Sequence, residues 1–239
     1  MSFRTSVTIV ASPRRRVGKT LAARLLTDFH LQSGRAAAAF DLNEGVGRLV
    51  EFLPEYAVNA SIADTRGQMA LFDALVAADE RPKIVDLAAD KFDAFFALAE
   101  QFGFVEEARA RGIAPAVMYV LTPDQTSVEA YGSLRRRFPR LLMAPLHNEM
   151  FGPTPPREKY GLGSKDPVLR LPMLATALRR IIDTPPYSFA AVPVIESGSR
   201  ANDAEAELGR WVRRIFLEFR ELDLRLLLAE LTSSIRFGA

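Results

Sequence analysis

Short apolar runs separated by ten to twenty residues of helical spacing recur along this 239-residue chain, and that alternation restricts its fold more than any other feature. "SVTIVAS" (6–12) reads as a buried strand. Leu21, Leu25, Leu26 and Phe29 then share one face of a helix from Lys19 to about Ser33, with Gly34 as its stop. "AAAAFDL" (36–42) is a second strand, "GQMALFDALVAAD" (67–79) a helix, and "PKIVDLAA" (82–89) a buried strand ending in an aspartate. A helix predicted from about Lys91 to Arg111 leads to "IAPAVMYVLTP" (113–123), the strongest strand signal in the chain. "DQTSVEAYGSLRRRF" (124–138) is helical, "RLLMAPLHN" (140–148) a strand, and the proline- and glycine-rich stretch 150–167 a long loop. "VLRLPML" (168–174) is a short strand followed by a helix to about Ile182, and the last helix runs from about Asn202 to Leu231. Strands joined by helices of this length form βαβ units. The pattern therefore predicts one α/β domain with a mostly parallel, twisted sheet and helices on both faces, in three layers. In such sheets ligands bind at the carboxyl ends of the strands.

Composition narrows the chemistry at those ends. There are no cysteines, which excludes disulfides, thiolate metal sites and cysteine nucleophiles, and only two histidines, His30 and His147. The net charge of +2 argues for no particular acidic partner, although arginine outnumbers lysine by 26 to 5. No run approaches the ~20 apolar residues that cross a bilayer. The first residues lack the pattern of a signal peptide, so a cytoplasmic location without a transmembrane segment is expected.

One motif at a strand end carries specific chemistry. "SPRRRVGKT" (12–20) lies between the first strand and the first helix, where a phosphate loop of the form G-x-x-x-x-G-K-[ST] belongs. In that register Pro13 stands where the first glycine should, and Arg14, Arg15, Arg16 and Val17 precede Gly18-Lys19-Thr20. Main-chain N–H groups of such a loop wrap phosphate, the lysine neutralises it and the hydroxyl binds Mg²⁺. The helix that follows adds its dipole. Lysine at a helix N-terminus opposes that dipole, so the choice makes sense if an anion sits there. The three arginines either contact phosphate, act as a finger toward a second copy, or form a solvated basic loop.

With this motif in place, the order of segments resembles the MinD/ParA/CobB-type P-loop NTPases (the SIMIBI class), a group that includes the dethiobiotin synthetases, over roughly residues 5 to 215. In the MinD and ParA branch the loop carries a signature lysine and two glycines where Arg14, Arg15 and Arg16 stand here, whereas "RVGKT" resembles the dethiobiotin synthetase loop. The resemblance implies ATP and Mg²⁺ as cofactors. The nucleotide would be held by Arg14 to Leu21, which includes Val17, Gly18, Lys19 and Thr20, and the metal by Thr20 and Asp86. "FDLN" (40–43) resembles the strand-two D-x-D motif, with Asp41 kept and Asn43 in place of the water-activating acid. Lys19, Asp41 and Asn43 are thus the implied catalytic residues, with slow hydrolysis. Asn148, at the end of "LLMAPLHN", would read adenine or else form a turn. Asp86 would reach the metal through water or else cap the following helix. The implied activity is a homodimeric, nucleotide-dependent switch, and the alternatives are an ATP-using small-molecule enzyme or a non-hydrolysing scaffold.

Two surface features suggest partners. Leu208, Val212, Ile215, Phe219, Leu222 and Leu226 form an apolar stripe on the last helix, and further leucines widen it enough to pack on the sheet and still offer an edge to a protein partner. Arg135, Arg136, Arg137 and Arg140 make a basic cluster, which is either a solvated helix end or a non-specific DNA contact.

Overall fold

In the computed structural model, residues 5–164, 166–192 and 203–237 are described, with 229–237 as backbone only. The chain forms a parallel seven-stranded sheet in the order β3-β2-β4-β1-β5-β6-β7. Its strands are β1 (Ser6–Ala11), β2 (Ala38–Asp41), β3 (Ala57–Asn59), β4 (Lys83–Asp86), β5 (Ala114–Val120), β6 (Leu142–Asn148) and β7 (Leu169–Leu171). The first strand lies at the centre, between β4 and β5. The chain turns left of it for β2 to β4 and right of it for β5 to β7. The carboxyl end of β1 is therefore a topological switch point, where the connections diverge and leave a crevice.

Both faces of the sheet are covered, and period-two alternation decides which side chain goes where. In β5, Ala116, Met118 and Val120 enter one core while Val117 and Tyr119 enter the other. The first core is roofed by α1 (Lys19–Gln32), α2 (Leu49–Phe52), α7 (Thr176–Ile182) and α8 (Asp203–Phe237). The second is roofed by α3 (Thr65–Leu75), α4 (Phe92–Gln101), α5 (Phe104–Ala110) and α6 (Gln125–Arg137). This is the expected three-layer α/β/α arrangement. Phe29 of α1 packs edge-on against Phe216 and Phe219 of α8, which seats the last helix on the first.

Several elements differ from the sequence reading for identifiable reasons. The helix predicted over 91–111 is two helices, because Gly103 adopts φ +58° and starts α5 afresh. The helix predicted over 67–79 begins earlier, at Thr65, where Asp64 caps it by accepting the N–H of Gly67. Helix α2 and strand β3 were not anticipated; each is one turn or three residues long, too short for periodicity to register. β7 keeps only three residues before Pro172. The final helix continues to Phe237, and its predicted start at Asn202 lies outside the described residues.

Polar side chains on the buried face of α1 fasten the segment that precedes α8. Arg24 is buried, donates to the carbonyl of Ile182 at 2.6 Å, and lies 3.6 Å above the ring of Phe52. One turn later, Asp28 accepts from the Ser188 hydroxyl at 2.8 Å and the Phe189 N–H at 2.6 Å. Burial pushes the Asp28 carboxyl up to about 6, against the pull of these bonds and of Arg24. The folded state thus holds this proton more tightly than the unfolded chain. The stabilisation it gives is complete below about pH 4 and is lost as pH rises to about 6. Urea unfolding at pH 4, 5, 6 and 7 should show wild type losing up to ~3 kcal/mol relative to Asp28→Asn over that interval, with parallel curves above it.

Candidate functional site

The crevice at the end of β1 is built around a turn whose main chain lacks partners. Arg14 N–H reaches the hydroxyl of Ser12 at 3.3 Å. Among the described residues, no acceptor takes the N–H of any residue from Arg15 to Leu21, and hydrogen bonding resumes only with Ala22 to Gly18. Within the same stretch Arg16 has φ +60° and Gly18 φ +94°, so left-handed residues alternate with ordinary ones. Successive N–H groups in such an alternation point into one concavity, a nest suited to an anion. The left-handed conformation costs a non-glycine residue ~1–2 kcal/mol, which Arg16 carries at this point. A Cβ on Gly18 would lie 2.5 Å from Nδ2 of Asn148, so glycine is required there by contact as well as by φ.

Lys19 and Thr20 open α1 directly below this nest. Lys19 is buried and its Nζ donates to the Arg14 carbonyl at 2.7 Å, while burial lowers its pKa. Thr20 Oγ1 donates to Asp86 Oδ2 at 2.7 Å. The other oxygen of Asp86 is buried without a partner, and burial pushes this carboxyl up to about 7, with the Asp41 charge adding to the effect. Asp86 and Asp41 sit opposite each other on β4 and β2. Asp41 is fully used within the protein: Oδ1 accepts Asn43 N–H at 2.9 Å and Nδ2 at 3.0 Å, and Oδ2 accepts Val50 N–H at 3.1 Å. Asn43 also donates to the Asp86 carbonyl. An orphaned carboxylate oxygen beside a hydroxyl is a hard-donor pair that suits Mg²⁺, which keeps most of its own water. No three His, Cys, Asp or Glu side chains among the described residues gather into a complete cage.

Two clefts open from the nest. One, of about 470 Å³, is lined by Arg15, Lys19, Thr20, Asn43, Asp90 and Lys91 among others. The second, of about 400 Å³, is lined by Asn148, Phe151, Leu171, Arg179 and Trp211 among others. Arg16, Gly18 and Leu21 border both. No model of a known protein family matches the chain, and no curated protein matches it significantly.

The fold brings Arg15, Arg16, Gly18, Lys19, Thr20, Leu21 and Asn43 onto the first cleft, with Asp86 beneath Thr20 and Asp41 behind Asn43. Val17 is buried in the core, and its carbonyl accepts Asn148 Nδ2 at 3.1 Å. Oδ1 of Asn148 accepts the N–H of Met150, so the residue forms a turn and borders the second cleft at once. Arg14 turns away to Asp124, and Arg15 comes only within 3.7 Å of Asp90. In the second basic cluster, Arg135 is spent on the Gly161 carbonyl and Arg137 on Glu100 and the Phe96 carbonyl. Sequence reasoning missed Glu44, Asp90 and Lys91. Lys91 donates to the Leu42 carbonyl and to Glu44 at the mouth of the cleft.

Gly18→Ala should lower the free energy of unfolding by ~1–3 kcal/mol through backbone strain and collision with Asn148. In the Gly18→Ala/Asn148→Ala double variant the collision disappears and the strain remains. Denaturant unfolding should then give a combined loss smaller than the sum of the two single losses.

Proposed function

We propose that this chain is an ATP- and Mg²⁺-binding protein of the P-loop type that hydrolyses nucleotide slowly. The observation that carries this reading is the run of seven main-chain N–H groups, Arg15 to Leu21, without protein acceptors above a buried lysine. The first turn of α1 leaves its own N–H groups free and the loop before it adds four more; a triphosphate would satisfy them while Lys19 neutralises its charge. The triphosphate would occupy the first cleft and the base the second. Asn148 retains one Nδ2 hydrogen there for a ring nitrogen. Thr20 would hold Mg²⁺ directly and Asp86 through water, and the ion when bound would neutralise charge on the phosphate oxygens.

The site supports binding better than rapid turnover. A residue that takes a proton from the attacking water, or orients it with a free donor and acceptor, speeds hydrolysis. Asn43 is an amide whose nitrogen is committed to Asp41 and to the Asp86 carbonyl. Such a protein works by the difference between its loaded and empty states. The resemblance to the MinD and ParA branch extends this proposal to a homodimeric switch. Among the described side chains of α8, Leu217, Leu224, Leu227 and Leu228 are exposed and offer an edge for a partner. The second reading is an ATP-dependent enzyme acting on a small molecule. It is favoured by "RVGKT" and by the engagement of Arg14 with its own chain.

Thermal unfolding with ATP, ADP, GTP and a non-hydrolysable ATP analogue, with and without Mg²⁺, tests the proposal. At 100 times its Kd the ligand should add about 2.7 kcal/mol of stability, and Lys19→Ala should abolish the gain. No shift with any nucleotide overturns the reading. A shift with dimerisation in sedimentation supports the switch, whereas a shift without it, and phosphate release only when metabolites are added, supports the enzyme.

Asn43→Asp should raise basal ATP turnover by supplying a carboxylate near the water. In the metal-free protein it should also cost ~1–2 kcal/mol, because it sets a second carboxylate against Asp41. Phosphate release and denaturant unfolding read the two effects separately, and unchanged turnover removes the water-positioning argument.

A further inference from the structure

The three consecutive arginines of the loop have different environments. Arg15 lies 3.7 Å from Asp90 and is three-quarters exposed, and Arg16 has no carboxylate partner among the described residues. Arg14 is different. Its Nε and Nη2 both reach Oδ1 of Asp124, at 2.8 and 2.6 Å. That carboxylate is held independently of Arg14: Oδ2 accepts the Thr122 hydroxyl at 2.7 Å, and Oδ1 accepts the Ser127 N–H at 3.1 Å, which caps α6. Burial works against ionisation of Asp124, yet the bonds from Arg14, Thr122 and Ser127 outweigh it and hold the carboxyl at about 2.

We propose that Arg14 is a positioning residue acting within its own chain: clamped on Asp124, it fixes the entrance of the phosphate loop to the turn between β5 and α6, instead of reaching toward a second copy. The proposal rests on the nucleotide reading for its consequence, while the clamp stands on these contacts alone. The main chain of Arg14 explains why the clamp matters. Its carbonyl receives Lys19 Nζ at 2.7 Å, and the run of acceptor-free N–H groups starts at the next residue. A guanidinium fixed at one end and a carbonyl in contact with the ammonium at the other make a continuous link from Asp124 to Lys19. Loss of the link releases the position of the first donors of the nest, which a phosphate needs in place before it arrives. Asp124 and Arg14 are about a third and a half exposed, so the pair contributes little to global stability. The effect is local.

The test uses the full-length chain and Asp124→Asn, which preserves an acceptor for the α6 cap and removes the charge. The peptide bonds after Arg14, Arg15 and Arg16 are themselves trypsin sites and remain intact in this variant. In the ligand-free protein, native-state nicking at these bonds should be about fivefold faster in Asp124→Asn than in wild type. Asp124→Glu, which keeps the charge for Arg14, should return it toward wild type, and the denaturant midpoint should stay unchanged in Asp124→Asn, where the α6 cap is kept. With Mg-ATP as the probe, Asp124→Asn and Arg14→Gln should each weaken Kd about three- to tenfold, equally at low and high protein concentration. Equal nicking in wild type and Asp124→Asn overturns the clamp. So does an Arg14→Gln variant that binds Mg-ATP as wild type but no longer dimerises with it, since that assigns the side chain to a second copy. If wild type binds no nucleotide, the functional reading falls, and the nicking comparison still decides the clamp.

Discussion

Main-chain donors that the protein cannot satisfy by itself organise the carboxyl edge of this sheet. Seven main-chain N–H groups in a row, Arg15 to Leu21, have no acceptor among the described residues; those of Lys19, Thr20 and Leu21 are the free donors of the first turn of α1, and the loop adds four more. The neighbouring residues maintain that arrangement. Gly18 bends the loop back toward the helix, Asn148 closes over Gly18 and holds the Val17 carbonyl, and Arg14 anchors the entrance on Asp124. The position follows from topology. Only beside β1 do the connections leave in opposite directions, and the first turn of α1 lines the cleft that opens there.

A second constraint is the crowding of negative charge on the other wall. Asp41 and Asp86 are direct neighbours across β2 and β4, both buried. Two ionised carboxylates at such a distance repel, and each is relieved differently. Asp41 is satisfied by three N–H donors from Asn43 and Val50, whereas Asp86 has the Thr20 hydroxyl and one bare oxygen. An amide at position 43 is thus part of the electrostatic balance as well as a departure from an acidic motif. The chemistry it gives up as a base it returns as a donor that keeps the pair tolerable.

The legible parts of the chain were those where local pattern and tertiary environment agree. Buried parallel strands such as β1 and β5 are continuous apolar runs, and α1 combines a clear stripe with a glycine stop, so the layers followed from the sequence. The break at Gly103 was missed although the buried residues of α4 (Phe92, Phe95, Phe96, Ala99) and of α5 (Phe104, Val105, Ala108) fall on opposite faces of one continuous helix; the run is so rich in apolar residues that the change of phase, set by the positive φ of Gly103, did not stand out. At the site, Lys19, Thr20 and Gly18 were legible as a motif in a fixed context. The role of Arg14 was not, because its partner lies 110 residues away and salt bridges leave no local periodicity. Lys91 and Glu44 were hidden for the same reason: they meet the cleft through loops whose paths only the folded chain defines.

The two outer strands, β3 and β7, are three residues each. A flank so brief offers an incoming strand too few free peptide groups to extend the ladder, which guards against open-ended stacking of copies. What remains for contact with other molecules is the surface of its helices and loops, where recognition depends on side-chain shape and charge.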